Sequence, residues 1–235
     1  MTTAEQLQTL SVFVPPPVNH LLLQNPRRQL GGTWRRFYAA TAFADISGFT
    51  PLAEGLAAAG VRGAEELTAI LNQVFEALIT TVESHGGQVV KFGGDALSLI
   101  WPCEPEELAI AVGRAIKAAF AMQAAMARFA TVSSKQGEFE LKMKIGLSAG
   151  ELLEVHAGGV YGRWEYVLAG APMANMSHAE NHAQVGQIVA DETTWRLLLP
   201  QTGEAKFDPP GEEIAPGFYR LVRPGSELPP VALVS

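Results

Sequence analysis

Apolar residues recur along the chain with two different periods, and these periods predict an alternation of helices and strands. Between residues 63 and 85 the apolar positions fall at steps of three and four residues, which is typical of an amphipathic helix. These positions are Leu67, Ile70, Leu71, Val74, Leu78 and Val82. Gly86 and Gly87 follow at once, and glycine commonly ends a helix. A second, strongly apolar helix is predicted over residues 105–130.

Shorter stretches between the helices have the composition of strands. Small, aromatic and β-branched residues before Asp45 predict a central strand that ends near this aspartate, and Pro51 is placed in the first turn of a following helix. Residues 89–92 and 96–101 are two apolar runs joined by a Gly-Gly-Asp turn that contains Asp95. This turn chemistry and spacing predict a β-hairpin.

The second half of the chain continues the alternation with five shorter elements and a last strand. The predicted elements are a strand at 139–152, a strand at 163–170, a helix at 172–184, a strand at 186–191, a helix at 192–199 and a strand at 217–226. The order strand–helix–strand–strand–helix–strand around the hairpin predicts an α+β, ferredoxin-like split βαβ fold. Such a fold has a mostly antiparallel central sheet, and we expect the helices to pack on one side of it.

The predicted elements divide the chain into three parts. Residues 1–36 contain a proline run and a short apolar stretch, and we expect this N-terminal extension to pack on the domain that follows. Residues 37–223 form the domain, and residues 224–235 form a C-terminal tail. No internal repeat is present in the sequence.

The composition narrows the class of protein. The chain has 235 residues, of which 48% are hydrophobic, so it can bury a substantial core. Its formal net charge is −7 and it contains no run of lysine or arginine, which argues against binding to a nucleic-acid backbone. Cys103 is the single cysteine, so no disulfide can form within the chain and a reducing compartment is expected.

Nothing in the sequence predicts a targeting or membrane segment. The first ten residues lack a basic start followed by an apolar core. The apolar helix at 105–130 carries Arg114, Lys117 and Arg128, so we interpret it as a buried helix and not as a membrane span. The expected location is cytoplasmic.

The two aspartates are the strongest candidates for chemistry. If the first strand and the hairpin are neighbours in the sheet, Asp45 and Asp95 face each other, and two close carboxylates repel unless a cation lies between them. Mg²⁺ or Mn²⁺ would remove this conflict and leave coordination positions open for phosphate oxygens. Residues 46–50 lead directly into a helix, whose free N–H groups can bind an anion. The simpler alternative is that Asp95 only makes a turn.

These segments carry a family resemblance. FADISGFT at 43–50, followed by GGQVVKFGGDALSLIW at 86–101, resembles the catalytic domain of the class III nucleotidyl cyclases. The resemblance is closest to the first cyclase domain of the bicarbonate-responsive soluble adenylyl cyclases and related bacterial multidomain proteins. It extends from about Val12 through the last strand, and the two segments are specific in combination.

The resemblance implies a metal site and a reaction. Asp45 and Asp95 would hold two Mg²⁺ or Mn²⁺ ions, with the carbonyl of Ile46 as a further ligand. The 3′-hydroxyl of ATP would attack its own α-phosphate, giving a cyclic 3′,5′-nucleotide and pyrophosphate.

The resemblance also implies positions that contact the substrate. The backbone of Gly48, Phe49 and Thr50 would hold the β- and γ-phosphates, and Gly94 would lie beside them. Lys91 matches a purine-reading lysine of active cyclases, and in the first domain of the soluble cyclases the same position helps to bind bicarbonate. The basic partner expected for bicarbonate is absent, since Ser177 or His178 stands in its place.

The residues that a second cyclase domain contributes are not matched here. In the family the active site lies between two domains, one supplying metal carboxylates and the other supplying base-reading and transition-state groups. Val167 stands at the base-reading position, and Ala174 and His178 stand where the family has Asn and Arg. Asn175 is one residue out of register and would point to another face of the helix. The resemblance therefore implies a metal-donating half that needs a complementary domain, in a homodimer, a heterodimer or a longer chain.

Three functional hypotheses remain open from the sequence. The first is a nucleotide cyclase acting on ATP. The second is a catalytically silent module that binds nucleotide or an anion and regulates a partner by dimerising. The third is a relative of the diguanylate cyclases or the polymerase palm, but no GGDEF-like run is present, because Ala96 follows the Gly-Gly-Asp turn.

Overall fold

The structure is a computed structural model of the chain. It describes residues 14–15, 17–19, 32–158, 161, 163–199 and 211–222. Most of the predicted N-terminal extension, the end of the last predicted strand and the whole predicted C-terminal tail lie outside these residues.

Residues 17–19 are helical, and the described residues between 32 and 222 form ten strands and five α-helices. In order they are β1 (Thr33–Ser47), α1 (Phe49–Ala57), α2 (Val61–Ser84), β2 (Gln88–Gly93), β3 (Ala96–Cys103), α3 (Leu108–Met126), β4 (Val132–Ser134), β5 (Gly137–Phe139), β6 (Lys142–Gly158), β7 (Trp164–Ala169), α4 (Ala171–His182), β8 (Ile188–Asp191), α5 (Glu192–Leu198), β9 (Gly211–Ala215) and β10 (Phe218–Leu221). Short 3₁₀ turns at Pro105–Glu107 and Ala127–Phe129 extend α3 at its two ends.

The strands form one large sheet with a split βαβ centre. The order is β2-β3-β1-β6-β8-β10-β9, with β7 paired to the far end of β6, while β4 and β5 form a separate small ribbon. Of the pairings described, only β6 with β8 is parallel, so the sheet is mostly antiparallel, as the sequence predicts. The predicted α+β class and the predicted neighbourhood of β1 and the hairpin are both confirmed.

Alternation along β1 separates the two faces of the sheet. Ala40, Ala42 and Ala44 face the main core, which is built with residues of α1, α2, α3 and α5. The intervening residues, such as Ala39, face the other side, where Met173 of α4 packs. The prediction that helices pack on one side therefore needs one correction, because α4 lies on the opposite face.

A glycine explains why α4 can lie so close to that face. A Cβ atom at Gly146 of β6 would fall 2.0 Å from the carbonyl oxygen of Met176 and 2.3 Å from the backbone nitrogen of Glu180. Only a residue without a side chain lets the helix backbone approach the strand this closely. Gly146 therefore brings α4 onto the face that carries Asp45.

Helix α3 is the apolar helix that the sequence predicts to be buried. The stretch Pro105–Phe129 is long and apolar enough to pass as a membrane span on composition. In the fold, α3 packs against β1, β3 and β6 and contributes Ala115, Ala118 and Met122 to the main core. This packing explains its hydrophobicity without a membrane.

The sequence does not predict every strand. The edge strand β9 reads GEEIA and is largely exposed, so it has no alternation that would indicate a strand. Strands β4 and β5 have three residues each, too few for a period. Strand β6 continues beyond the predicted end at residue 152 to Gly158.

Candidate functional site

The end of β1 and the turn of the β2–β3 hairpin meet at one corner of the sheet. Asp45 lies opposite Ala96 of β3 on one side and opposite Lys144 of β6 on the other. Asp95 precedes Ala96 in the hairpin turn, and its carbonyl oxygen accepts a hydrogen bond from the backbone N–H of Ile46 at 3.4 Å. The structure thus brings the two candidate aspartates together, as the hairpin predicts.

The carboxylates of Asp45 and Asp95 lie at this corner without a direct bond to any described side chain. Among the described residues, the side chains of Asp45 and Asp95 form no hydrogen bond or ion pair. Burial, followed by the nearby charges of Glu180 and Asp95, raises the pKa of the Asp45 carboxyl, and Lys144 opposes this shift. A corner with excess negative charge and open carboxylate oxygens fits a divalent cation.

The backbone of Ile46 points into the same corner. A residue in an antiparallel strand directs its N–H and its C=O to the same side. Because the N–H of Ile46 points to Asp95, its carbonyl oxygen also faces the hairpin turn. This orientation is the one a carbonyl ligand to a metal would need, and the ligand role of Ile46 stays a prediction.

The predicted phosphate turn begins helix α1. Gly48 has φ 104° and is the N-cap of α1, where no side chain caps the helix by a hydrogen bond and no acidic residue lies in the first turn. A Cβ at Gly48 would lie 2.0 Å from the carbonyl oxygen of Glu140. The turn is therefore fixed against the chain before β6, and the N–H groups of Phe49 and Thr50 have no side-chain cap.

Phe49 serves the core with its side chain. It is buried, and its ring centroid lies 6.1 Å from that of Phe75, which in turn meets Phe92 edge-on at 5.7 Å. Only the backbone of Phe49 can therefore contact a phosphate. Thr50, by contrast, is exposed.

Lys91 and Gly94 lie on the hairpin near the aspartates. Gly94 has φ 70°, a left-handed conformation that suits a glycine in the turn. Lys91 lines a cavity of about 600 Å³ between the hairpin and α4. Phe43, two residues before Asp45, lines the same cavity, so Lys91 faces the side of the sheet on which the aspartates lie.

The positions expected to complement a metal-donating half are exposed on β7 and α4. Val167 is 42% exposed, and Ala174 and His178 are also exposed. Asn175 donates a hydrogen bond from Nδ2 to Asp191 Oδ2 at 3.1 Å. Its amide is therefore bound to the last residue of β8, which is also the N-cap of α5. Asn175 thus points away from these positions, as its register predicts.

Two residues beside Asp45 were missed by sequence reasoning. Lys144 and Glu180 form an ion pair of 2.6 Å next to Asp45. The alternation in residues 139–152 placed Lys144 on one face of a strand, but nothing in the sequence relates it to residue 180. Their proximity depends on the packing of α4 on β6, which only the tertiary structure reveals.

Comparison with known proteins identifies the class. The family model for the adenylate and guanylate cyclase catalytic domain matches residues 38–219. Since this match covers well over half of the chain, the chain belongs to that family, which confirms the predicted resemblance.

Individual relatives agree with the family. Adenylate cyclase type 10 of Oryctolagus cuniculus is 31% identical over 163 residues, which cover 68% of this chain and 10% of that protein. The chain therefore spans about a tenth of the length of this relative. The adenylyl cyclase CyaB from P. aeruginosa has a similar fold, with a TM-score of 0.63, 21% identity, and coverage of 83% of this chain and 99% of that chain. The guanylyl cyclase Cya2 gives a TM-score of 0.56 at 25% identity, covering 73% of this chain and 82% of that one.

The raised pKa of Asp45 predicts an unusual effect on stability. An acid whose pKa is higher in the folded state than in the unfolded state destabilises the fold when ionised, and this cost disappears as the pH falls. In metal-free buffer, we expect Asp45→Asn to raise the Tm at pH 8 by up to a few °C and to leave it nearly unchanged at pH 4. Thermal unfolding at the two pH values measures this, and a lower Tm for the variant at pH 8 would contradict it.

Proposed function

We propose that this chain is a nucleotide cyclase domain that converts ATP into 3′,5′-cyclic AMP and pyrophosphate. The observation that carries the proposal is the pair of carboxylates, Asp45 and Asp95, which form no hydrogen bond or ion pair with the described residues and lie beside the start of α1. In the reaction the 3′-oxygen of ATP forms a bond to the α-phosphorus. The bond from that phosphorus to the pyrophosphate oxygen breaks, pyrophosphate leaves, and the hydroxyl proton passes to water.

The positions of individual residues support the roles that the family resemblance implies. Asp45, Asp95 and the Ile46 carbonyl would hold two Mg²⁺ or Mn²⁺ ions, which would supply positive charge at the attacking and leaving oxygens. The backbone from Gly48 to Thr50 would orient the β- and γ-phosphates through its N–H groups. Lys91 and Gly94 on the hairpin would lie along the path of the nucleotide.

ATP is favoured over GTP by similarity and not by a base-reading residue. The relative with 31% identity is named an adenylate cyclase, whereas a structure with 25% identity is named a guanylyl cyclase. Val167 offers no hydrogen bond to a purine, so this chain must receive base recognition from another domain. Competition between ATP and GTP in the assembled enzyme tests the choice.

We infer that the chain acts as a metal-donating half with a second cyclase domain. Ala174 and His178 lack the side chains that orient a ribose and stabilise phosphate charge in the family. Loss of such a charge-stabilising group greatly lowers the rate of the chemical step. The partner is a domain of another chain or of a longer form of this one. A cytoplasmic location is proposed, since the single Cys103 suits a reducing compartment.

The alternative function is a catalytically silent module that binds nucleotide or an anion and regulates by dimerising. The exposed Val167, Ala174 and His178 favour it, because a homodimer of the chain lacks the complementary groups. Asp45 and Asp95 oppose it, because their carboxylates form no ion pair with the described residues and fit a divalent cation.

A complementation experiment separates the two functions. One variant, Val167→Asp/Ala174→Asn/His178→Arg/Asp95→Asn, carries the missing complementary groups but no intact metal pair. Mixed with the wild-type chain, it forms heterodimers in which only one site is complete. We expect cyclic AMP formation from Mn²⁺–ATP in the mixture to exceed that of either component by on the order of 10²-fold, as expected when a charge-stabilising donor is restored.

The outcome for the silent module differs in a measurable way. Analytical ultracentrifugation would show whether heterodimers form, and a binding assay would show whether they bind Mn²⁺–ATP. If both hold and the mixture is still no more active than its components, the regulatory alternative is correct. A version of the quadruple variant with Asp95 retained is a useful reference, because its homodimer would contain two complete sites.

A further inference from the structure

A lysine stands directly opposite the candidate metal ligand Asp45. Lys144 of β6 is the cross-strand partner of Asp45, so their side chains lie on the same face with Cβ atoms about 4.5–5.5 Å apart. At this spacing an ammonium group could easily reach the carboxylate of Asp45. It pairs instead with Glu180, with 2.6 Å between Lys144 Nζ and Glu180 Oε1.

Glu180 is held in place by the packing of α4. Its side chain is buried, and its backbone nitrogen lies directly over Gly146. A buried carboxylate requires a charged or hydrogen-bonding partner, and Lys144 is its ion-pair partner among the described residues. The pair is therefore fixed from both sides, by the strand and by the helix.

We propose that Glu180 is a positioning residue that holds Lys144 away from Asp45 and so keeps the Asp45 carboxylate available for a divalent cation. The inference rests on the proposed metal role of Asp45. Without Glu180, Lys144 would pair with the carboxylate opposite it and compete with the cation. With Glu180 in place, Lys144 Nζ is bound to Glu180, and Asp45 and Asp95 form no ion pair with the described residues.

The test measures Mn²⁺ binding to the purified chain without nucleotide. The free Mn²⁺ concentration is read from its electron paramagnetic resonance signal. Glu180→Gln keeps the shape of the side chain but releases Lys144, and we expect it to weaken Mn²⁺ affinity by about 10-fold, as for other groups that orient metal ligands. The double variant Glu180→Gln/Lys144→Met removes the competitor, and its affinity should return to within about 3-fold of wild type.

A second, exposed glutamate–lysine pair at the start of β6 provides a control for the release of a nearby lysine. Glu140 pairs with Lys142, two residues before Lys144, but Lys142 lies opposite Ser47 and not opposite an aspartate. Glu140→Gln removes the same charge and releases a lysine at the same end of β6, and we expect less than about a 2-fold change in affinity.

Each outcome has a distinct meaning. Wild-type affinity in Glu180→Gln, or no recovery in the double variant while thermal unfolding shows it to be folded, overturns the positioning role. A Glu140→Gln loss equal to that of Glu180→Gln also overturns it, because net charge alone would then explain the effect. Absence of Asp45-dependent Mn²⁺ binding in the wild-type chain would instead refute the proposed metal site, and the inference with it.

Discussion

Replacing Asp95 with asparagine is expected to lower cyclic AMP formation by on the order of 10²–10³-fold, because the exchange removes a charged ligand of the two-metal site. The comparison uses the assembled enzyme. The wild-type chain in one sample, and the Asp95→Asn chain in the other, is mixed with a partner that supplies the complementary groups. The measurement is the initial rate of cyclic AMP production at saturating Mn²⁺–ATP.

The asparagine variant isolates the charge from the fold. The hydrogen bond that joins the hairpin to β1 uses the backbone carbonyl of Asp95, which the substitution preserves. Glu106→Gln is the matched control, since it removes one charge from an exposed residue in the 3₁₀ turn before α3. Full activity in Asp95→Asn, or an equal loss in Glu106→Gln, would contradict a metal role for this aspartate.

Replacing Gly48 with alanine is expected to destabilise the fold more than any other single methyl addition in the phosphate turn. The backbone has φ 104°, which is strained for alanine, and the new Cβ would lie 2.0 Å from the Glu140 carbonyl oxygen. Together the strain and the overlap cost about 3 kcal/mol, which lowers the Tm by about 6–12 °C. Chemical denaturation and thermal unfolding both measure this change.

Gly60 provides the matched control for this prediction. It is also the residue before a helix and has φ 60°, but nothing lies within 4 Å of the position of its Cβ. Gly60→Ala should therefore cost only the strain of its backbone conformation, φ 60° and ψ −134°, which is about 1–3 kcal/mol. Equal losses for the two variants would mean that contact with Glu140 does not fix the turn.

The hairpin is the part of the site that the sequence predicts best. The Gly-Gly-Asp turn between two apolar runs determines β2 and β3, and the split βαβ order makes β3 the neighbour of β1. These are local signals, so the meeting of Asp45 and Asp95 follows from turn chemistry and strand order alone. The roles of the two aspartates stay predictions until metal binding is measured.

The surroundings of Asp45 could not be predicted in the same way. The contact of Glu180 with Lys144 depends on Gly146 admitting α4 to the opposite face of the sheet. A glycine inside a strand indicates a close approach of some backbone, but it does not identify which helix approaches. For the same reason the sequence predicted helices on one side only.

The chain lacks the base-reading and transition-state groups that a second cyclase domain supplies in the family, and this absence bears on how its activity is controlled. Val167 on β7 and Ala174 and His178 on α4 are exposed, as residues facing a second domain would be. Asn175 cannot compensate, because its amide is bound to Asp191. If the proposed function is correct, control of this cyclase lies in which partner supplies the missing groups.

The proposed function depends on Asp45 and Asp95 binding divalent cations for a nucleotide. The most direct measurement is the binding of Mn²⁺, with and without ATP, to the wild-type chain, Asp45→Asn, Asp95→Asn and the Glu106→Gln control. We expect both aspartate variants to bind Mn²⁺ at least about 10-fold more weakly and the Glu106→Gln control to bind Mn²⁺ as the wild type does. Unchanged Mn²⁺ affinity in both aspartate variants would contradict the metal site and, with it, the assignment of this chain as the metal-donating half of a cyclase.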